Sequence, residues 1–257
     1  MKQLLIGAIL CFTITSFAQN KNKLSFDFGY GVNYVQMKTI NQFYIDSLAS
    51  KFKLLNTKIE KAKQFYVNLK YQPMQLFDVG VYGGYYMADA YGEGEITEID
   101  LITEEFIAVH EGDFVLRTSL ISVGLSNSWY ISKLFNFEQK SSYFLKRFRI
   151  ATEFNFGIGY SKTIKDYKFP TFETSFPYEI FTSQDFDFQI ALKFEYDIIQ
   201  TPLISTIGFK IGYKQLKTKP LKNKYNNDWI AHWLTVDKEI SLDFSGYFGS
   251  IYVSIGR

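Results

Sequence analysis

The chain has 257 residues but only one cysteine, five prolines and two histidines. A single cysteine cannot build a disulfide framework or a zinc ribbon. The two histidines, His110 and His232, lie too far apart to read as a paired metal motif, so no metal and no cofactor is expected. A net charge of only +2 argues against a dedicated nucleic-acid binder. Beyond the N-terminus no apolar run approaches the ~18–20 residues that a spanning helix requires. Aromatic residues are abundant instead: 26 Phe, 19 Tyr and 3 Trp make up 19% of the chain, at a mean hydropathy of −0.09. That is too apolar for a disordered chain, and the length allows one large all-β domain or two ordinary ones.

Residues 1–18 read as a secretory signal peptide. A basic start at Lys2 precedes an almost wholly apolar stretch from Leu4 to Phe17, and Ser16 and Ala18 supply the small residues at positions −3 and −1 of a cut after Ala18. Cys11 lies inside this segment, and Leu10 before it does not suit lipidation. The expected mature chain, residues 19–257, then has no cysteine at all.

The mature chain alternates with period two. Leu24, Phe26, Phe28, Tyr30, Val32 and Tyr34 share one face, with Ser25, Asp27, Gly29, Gly31 and Asn33 on the other. Similar runs follow at Phe65–Gln72, Phe77–Met87, Phe148–Ser161, Phe186–Ile198 and Ile207–Tyr213. Two further strands, Phe114–Tyr130 and Ile240–Arg257, change phase. Leu116 and Leu120 are even while Ile121, Val123 and Leu125 are odd, which suggests a β-bulge near Leu120; a similar shift falls around Gly246. Eight strands result. The connections alternate between long (Lys38–Lys63, Ala88–Gly112, Lys162–Asp185, Gln215–Lys238) and short (Pro73–Leu76, Ile199–Ile204), with Ile131–Arg147 longer than the pattern wants. The expected fold is therefore all-β: an eight-stranded antiparallel up-and-down transmembrane β-barrel with long outer loops.

Two features favour a membrane barrel over a soluble one. The polar face is rich in glycine, alanine and serine, which weaken a strand in water but leave room for large side chains such as Tyr82 and Tyr86 in a crowded lumen. Its charges are of both signs and suit a paired interior: Lys70, Arg149, Lys193 and Lys210 against Asp27, Asp78, Glu153, Asp187, Glu195 and Asp197. The apolar face ends in tyrosines whose placement follows strand direction. Tyr34, Tyr85, Tyr160 and Tyr213 fall at one level and Tyr71 and Tyr196 at the other, with Trp129 and Tyr130 nearby, as two aromatic girdles would. A closed barrel also gives every backbone N–H and C=O a partner in hydrocarbon.

The cleavage region Ser16-Phe17-Ala18-Gln19, the opening Phe28-Gly29-Tyr30-Gly31-Val32-Asn33, and Tyr71-Gln72-Pro73 leading to Phe77-Asp78-Val79-Gly80-Val81-Tyr82-Gly83-Gly84-Tyr85 resemble the small eight-stranded outer-membrane β-barrel proteins of Gram-negative bacteria, the OmpA-like or porin-family barrels. The pattern covers the whole mature chain, although Ser254-Ile255-Gly256-Arg257 lacks the terminal aromatic usual in that family. The resemblance implies residence in the outer membrane, contact with its lipid and lipopolysaccharide, and roles ranging from anchors and adhesins to a few lipid-modifying enzymes.

The chemistry is sparse. His110 has Glu104, Glu105 and Glu111 nearby but no adjacent serine, and Ser126-Asn127 lacks a histidine neighbour, so no catalytic residues are assigned and the protein is not expected to be an enzyme. The acidic stretch Glu93–Asp113 fits no calcium-loop spacing and reads as a solvated surface. Leu48, Phe52, Leu55, Ile59 and Ala62 have helical spacing after Ser47, a possible N-cap, and suggest a helix over the barrel mouth or on the outer leaflet. The last long loop combines Lys217, Lys219, Lys222 and Lys224 with Trp229 and Trp233. The expected role is non-enzymatic: a monomeric barrel whose outer loops meet a protein or glycan partner, with no nucleic-acid role. The alternatives are a rim-located lipid-modifying enzyme and a small-solute channel.

Overall fold

The computed structural model describes residues 24–46, 52–54, 58–99, 106–135, 143–168, 178–198, 205–233 and 236–256. The segment read as a signal peptide lies outside them, as do Ser47, Leu48 and Leu55. The strands are β1 (Leu24–Tyr34), β2 (Phe52–Leu54), β3 (Lys61–Met74), β4 (Phe77–Ile99), β5 (Phe106–Tyr130), β6 (Phe148–Lys168), β7 (Glu179–Asp197), β8 (Thr206–Gln215), β9 (Ile230–Trp233), β10 (Val236–Glu239) and β11 (Gly246–Ile255). Eight of them form a ring in the order β1-β3-β4-β5-β6-β7-β8-β11, and β11 pairs back onto β1. Every pairing is antiparallel. The ring has no free edge at membrane height, so its backbone groups find partners without water. β2 is a short extra strand that continues along the edge of β4, with Phe52 opposite Gly94.

Several expectations change. The bulge near Leu120 is absent: β5 pairs without interruption from Trp129 to Ala108 against β4, and from Tyr130 to Asp113 against β6. Within Ala88–Gly112 the described residues are not loop: Ala88–Ile99 continue β4 and Phe106–Gly112 begin β5, and β6 and β7 likewise run on to Lys168 and back from Glu179. No helix forms at Phe52, which lies in β2, or at Ala62, which lies in β3; the helical turns come earlier, over Lys38–Ile40 and Asn41–Ile45. Ile59 and Ala62 are buried nonetheless, so the apolar spacing reported burial and not helix. The long connection between β5 and β6 holds two short helices, Ile131–Leu134 and Tyr143–Arg147. Around Gly246 the change is again one of element: Ile240, Leu242 and Phe244 precede the barrel strand and are fully buried.

The apolar core sits at the long-loop end, not in the middle of the barrel. Val35, Met37, Ile40 and Ile45 from the first connection pack with Leu216, Leu221, Trp229, Ile240, Leu242 and Phe244 from the last. Tyr86, Ala88, Ala90, Phe114, Leu116, Leu120 and Phe181 supply the inner wall. The stretch Leu216–Leu221 pairs with Ile240–Phe244 through backbone hydrogen bonds, such as Phe244 N–H to Leu216 C=O at 2.8 Å and Leu221 N–H to Ile240 C=O at 2.8 Å. Side chains tie this cap together: Asn41 donates to Ile59 C=O at 3.0 Å and accepts from Ile59 N–H at 2.9 Å, and Asn33 donates to Phe244 C=O at 2.9 Å. The cap closes the mouth at the end opposite the first residue of β1 and the last of β11.

Candidate functional site

Below the cap the lumen is filled by a charged network. Its centre is Lys193, fully buried, with Nζ 2.9 Å from Glu195, 3.4 Å from Glu153 and 3.8 Å from Asp27. Glu153 is shared by three lysines, with Lys210 at 2.9 Å, Lys193 at 3.4 Å and Lys70 at 3.7 Å. Lys70 also pairs with Asp27, which accepts from Ser254 Oγ at 2.5 Å. Tyr252 donates to Glu195 at 2.7 Å, and Tyr130 to Asp78 at 2.6 Å. Arg149 reaches Glu195 at 3.3 Å and pairs with Asp197, nearer the short-turn end. Higher up, Asp187 accepts from Lys214 at 2.6 Å, Tyr82 at 2.9 Å and Gln189 at 3.0 Å, and also from Ser122.

Of the ten charged residues named from sequence, Asp27, Lys70, Asp78, Glu153, Asp187, Lys193, Glu195 and Lys210 are buried, whereas Arg149 and Asp197, nearer the short-turn end, are only partly so. The apolar alternation ends at Tyr213 and so leaves out Lys214, which is fully buried and belongs to the same face as Lys210. It raises the cations from four to five against six acids. Charges this deep are tolerable only when paired and hydrogen-bonded. Tyrosine rings complete the packing: Lys210 Nζ lies 3.6 Å from the centre of the Tyr66 ring, and Lys214 4.0 Å from that of Tyr86. Close approach makes room for these rings. A Cβ at Gly29 would lie 2.1 Å from the Tyr66 ring, and one at Gly208 2.1 Å from the Tyr252 ring.

The outer wall carries the opposite chemistry. Phe28, Phe65, Val67, Leu69, Val79, Val81, Ile121, Val123, Leu125, Phe156, Ile158, Leu192, Ile207, Phe209, Ile211 and Ile251 are all exposed and encircle the barrel. At one rim Tyr71 and Trp129 are exposed, Phe77 stacks on Trp129 at 5.5 Å, and Phe144 stacks on Tyr196 at 5.4 Å. The other rim bears exposed Tyr34, Tyr85, Tyr160 and Tyr247, with Tyr213 edge-on to Tyr247 at 5.4 Å. From Phe77 to Tyr85 a strand advances about 26 Å at ~3.3 Å per residue, or about 20 Å of height when tilted as barrel strands are, close to the ~25 Å apolar band of membrane barrels. Above Tyr85, one outward position past Met87, the outer face carries a charged pair, Asp89 and Arg117 3.5 Å apart. Burial holds the Asp89 carboxyl above its usual range despite that guanidinium.

The protruding end offers the remaining surface chemistry. The register sets Glu93 opposite Asp113 and Glu95 opposite Glu111 on the exposed face of the hairpin. Among the described residues, no group of three or more His, Cys, Asp or Glu side chains is placed to hold a metal ion. His110 is not on a loop but on β5, buried and facing inward, opposite Ile96 in the register. His232 is on β9, opposite Asp237. A cleft of about 570 Å³ lies between exposed Tyr178 and Tyr225, lined also by Glu179, Ile180, Thr182, Asn223 and Lys224. A second, of about 750 Å³, lies against the upper rim beside Tyr34, Tyr213 and Tyr247.

A closed antiparallel ring with an apolar outer belt between two aromatic rims and a filled polar lumen is a transmembrane β-barrel. No family model matches the sequence, and no curated protein matches it. A likeness to several solved structures is found. Ail, the attachment invasion locus protein of Yersinia pestis, in complex with the heparin analogue sucrose octasulfate, is 7% identical at a TM-score of 0.38, covering 91% of this chain and 99% of that one. A major outer membrane protein from Thermus thermophilus is 10% identical at a TM-score of 0.40, over 90% and 98% of the two chains. The outer membrane protein OprG from Pseudomonas aeruginosa is 11% identical at a TM-score of 0.38, over 91% and 95%. Each is a likeness only.

Proposed function

We propose that the protein is a monomeric, non-enzymatic barrel of the bacterial outer membrane, delivered by cleavage of residues 1–18, which holds its packed cap outside the cell as a contact surface. The observation that carries this reading is the division of the molecule into three zones along one axis: a lipid-facing belt, a lumen filled with paired charges, and an apolar-cored cap above the upper tyrosines. A channel would need a continuous aqueous path, and here paired charges and then the apolar cap occupy the lumen. An acyl-transfer enzyme would need a histidine beside a nucleophile at the rim, whereas His110 faces inward within the hairpin.

The finer reading is that the cap engages a glycan or protein partner. The cleft between Tyr178 and Tyr225 supports it, because exposed tyrosine rings beside Lys224, Asn223 and Thr182 offer both stacking faces and hydrogen-bonding groups to a saccharide. The localisation test is fractionation: heat-modifiable protein in the outer-membrane fraction is expected, and recovery as soluble periplasmic protein would overturn the reading. Purified barrel in a planar bilayer should stay silent. For the partner, saccharide-array binding should weaken in Tyr178→Ala and Tyr225→Ala variants that remain heat-modifiable; binding by neither wild type nor variants would remove the glycan reading.

A further inference from the structure

The groove at the upper rim has an unusual construction. Its wall is the outward face of the barrel, formed by Tyr34 at the end of β1, Tyr213 on β8 and Tyr247 on β11, of which Tyr247 is 73% exposed. Its roof is the helical turn of the first connection, which presents Lys38, Gln42 and Asp46, and the approach to β3, with Lys58 and Glu60. Just beyond it on β3, Lys61 holds its ammonium 5.4 Å from the centre of the Tyr34 ring, and the register sets the two residues opposite each other. The barrel wall is low here: β8 ends at Gln215 and β11 starts at Gly246, whereas β4 to β7 rise well past the tyrosines. The first connection therefore hangs directly over the edge of the apolar belt.

We infer that this groove binds the phosphorylated headgroup of an outer-leaflet lipid. The inference rests on the outer-membrane reading given above and adds a site to it. The heights match such a molecule. Rim tyrosines take the boundary between acyl chains and headgroup, where aromatic side chains with a polar end are stable. Lys38 and Lys58 stand on the watery side, where a lipid phosphate lies, and Lys61 is level with Tyr34. Among the described residues none of Lys38, Lys58 and Lys61 is paired with a carboxylate, and all three are exposed. Within the groove Lys38 and Lys58 balance Asp46 and Glu60, and Lys61 just beyond it is the third cation, so the rim as a whole carries one net positive charge at neutral pH. An anionic headgroup supplies what the lysines lack, while its acyl chains continue along the belt below Tyr34 and Tyr247.

The test uses the full barrel refolded in neutral detergent, with a phosphorylated lipid A, the same lipid with its phosphates removed, and inorganic phosphate as probes, read by native mass spectrometry. Retention of phosphorylated lipid A, at least tenfold weaker retention of the dephosphorylated form, and no competition by inorganic phosphate are expected. Each lysine near a charged membrane surface is worth about a fivefold change in binding, so Lys38→Gln/Lys58→Gln/Lys61→Gln should lose about a hundredfold. Tyr247→Ala should weaken retention without moving the thermal transition of the barrel. Equal retention of both lipids, or a triple variant that binds like wild type, would overturn the site; displacement by inorganic phosphate would show a free-anion site instead. Heat-modifiable migration of every variant keeps these outcomes separate from a failure of the membrane reading.

Discussion

Replacing Glu153 by Gln tests the lumen network at its most shared atom pair. Three lysines approach this carboxylate, at 2.9, 3.4 and 3.7 Å. The surrounding cluster is balanced, with Asp27, Glu153 and Glu195 against Lys70, Lys193 and Lys210, so the neutral amide leaves one uncompensated buried cation. Removing one partner from a buried ionic group costs about 3–5 kcal/mol, because the remaining charge stays desolvated. At a urea slope of about 2–3 kcal/mol per molar, the unfolding midpoint should fall by roughly 1–2.5 M. The measurement is urea unfolding of the refolded barrel in micelles, with the unboiled gel shift as a second signal. The decisive comparison is the double variant Glu153→Gln/Lys193→Met. It returns the cluster to balance, with Asp27 and Glu195 against Lys70 and Lys210, and should recover at least about 2 kcal/mol relative to the sum of the single variants. A Glu153→Gln protein within about 1 kcal/mol of wild type, or a double variant that loses the full sum of both single losses, would refute the argument that mutual charge pairing holds the lumen together.

Other perturbations address the packing, the belt and the cap. Gly208→Ala places a Cβ against the Tyr252 ring and should cost about 1–3 kcal/mol in the same assay, as overpacking does; unchanged stability would mean that the ring has room to move. Leu125→Arg, midway between Trp129 and Ile121 on the lipid face, should cost about 2–4 kcal/mol, while Glu93→Arg above the upper rim should cost little. The cap should loosen in alkali before the barrel does. Tyr44 donates to or accepts from Tyr167 at 2.7 Å, and burial raises both phenols above their ordinary value of 10.0. Because the folded state favours the protonated phenols, their contribution is complete below the unfolded pKa near 10 and is lost as the pH rises above it. Tyr44 packs edge-on to Trp229 at 4.8 Å, so Trp229 fluorescence in a Trp129→Phe/Trp233→Phe background should change above that pH while the β-sheet circular dichroism stays constant, and Tyr44→Phe should blunt the change. Coincident loss of both signals would show that cap and barrel open together.

The barrel strands were legible in the sequence because a wall with lipid on one side and a packed polar lumen on the other imposes period two. The charged lumen residues were legible for the same reason. The grooves were not, since their walls come from segments distant in sequence: Lys38, Lys58, Tyr213 and Tyr247 meet only through the ring closure of β11 on β1. The segments that build the cap look like loops and a helix in the sequence. Ile59 and Ala62 are buried through a strand and its lead-in, and a few apolar residues at mixed spacing do not distinguish that from a helix face.

The apparent phase shift in β5 is informative in a different way. Period two tells which face of a strand is apolar, not which face is inside. Within the membrane the apolar face points out to lipid; in the protruding part it points into the core of the cap. A straight strand that crosses from one zone to the other must therefore exchange its apolar set between odd and even positions with no bulge. On β5 the exchange falls between Leu120, buried, and Ile121, exposed; on β4 it falls between Tyr85, exposed, and Tyr86, buried. Tyr34 and Val35 show it after β1, and Tyr213 and Leu216 after β8. The register brings Tyr85, Ile121 and Tyr160 side by side, so these inversions mark one level around the barrel, that of the upper tyrosine girdle. The site where the pattern fails as a strand signal is thus the outer edge of the apolar belt. Lys214 follows from the same logic: it is the last inward residue below the exchange on β8, still in the polar lumen, and Leu216 two positions on is already in the apolar cap.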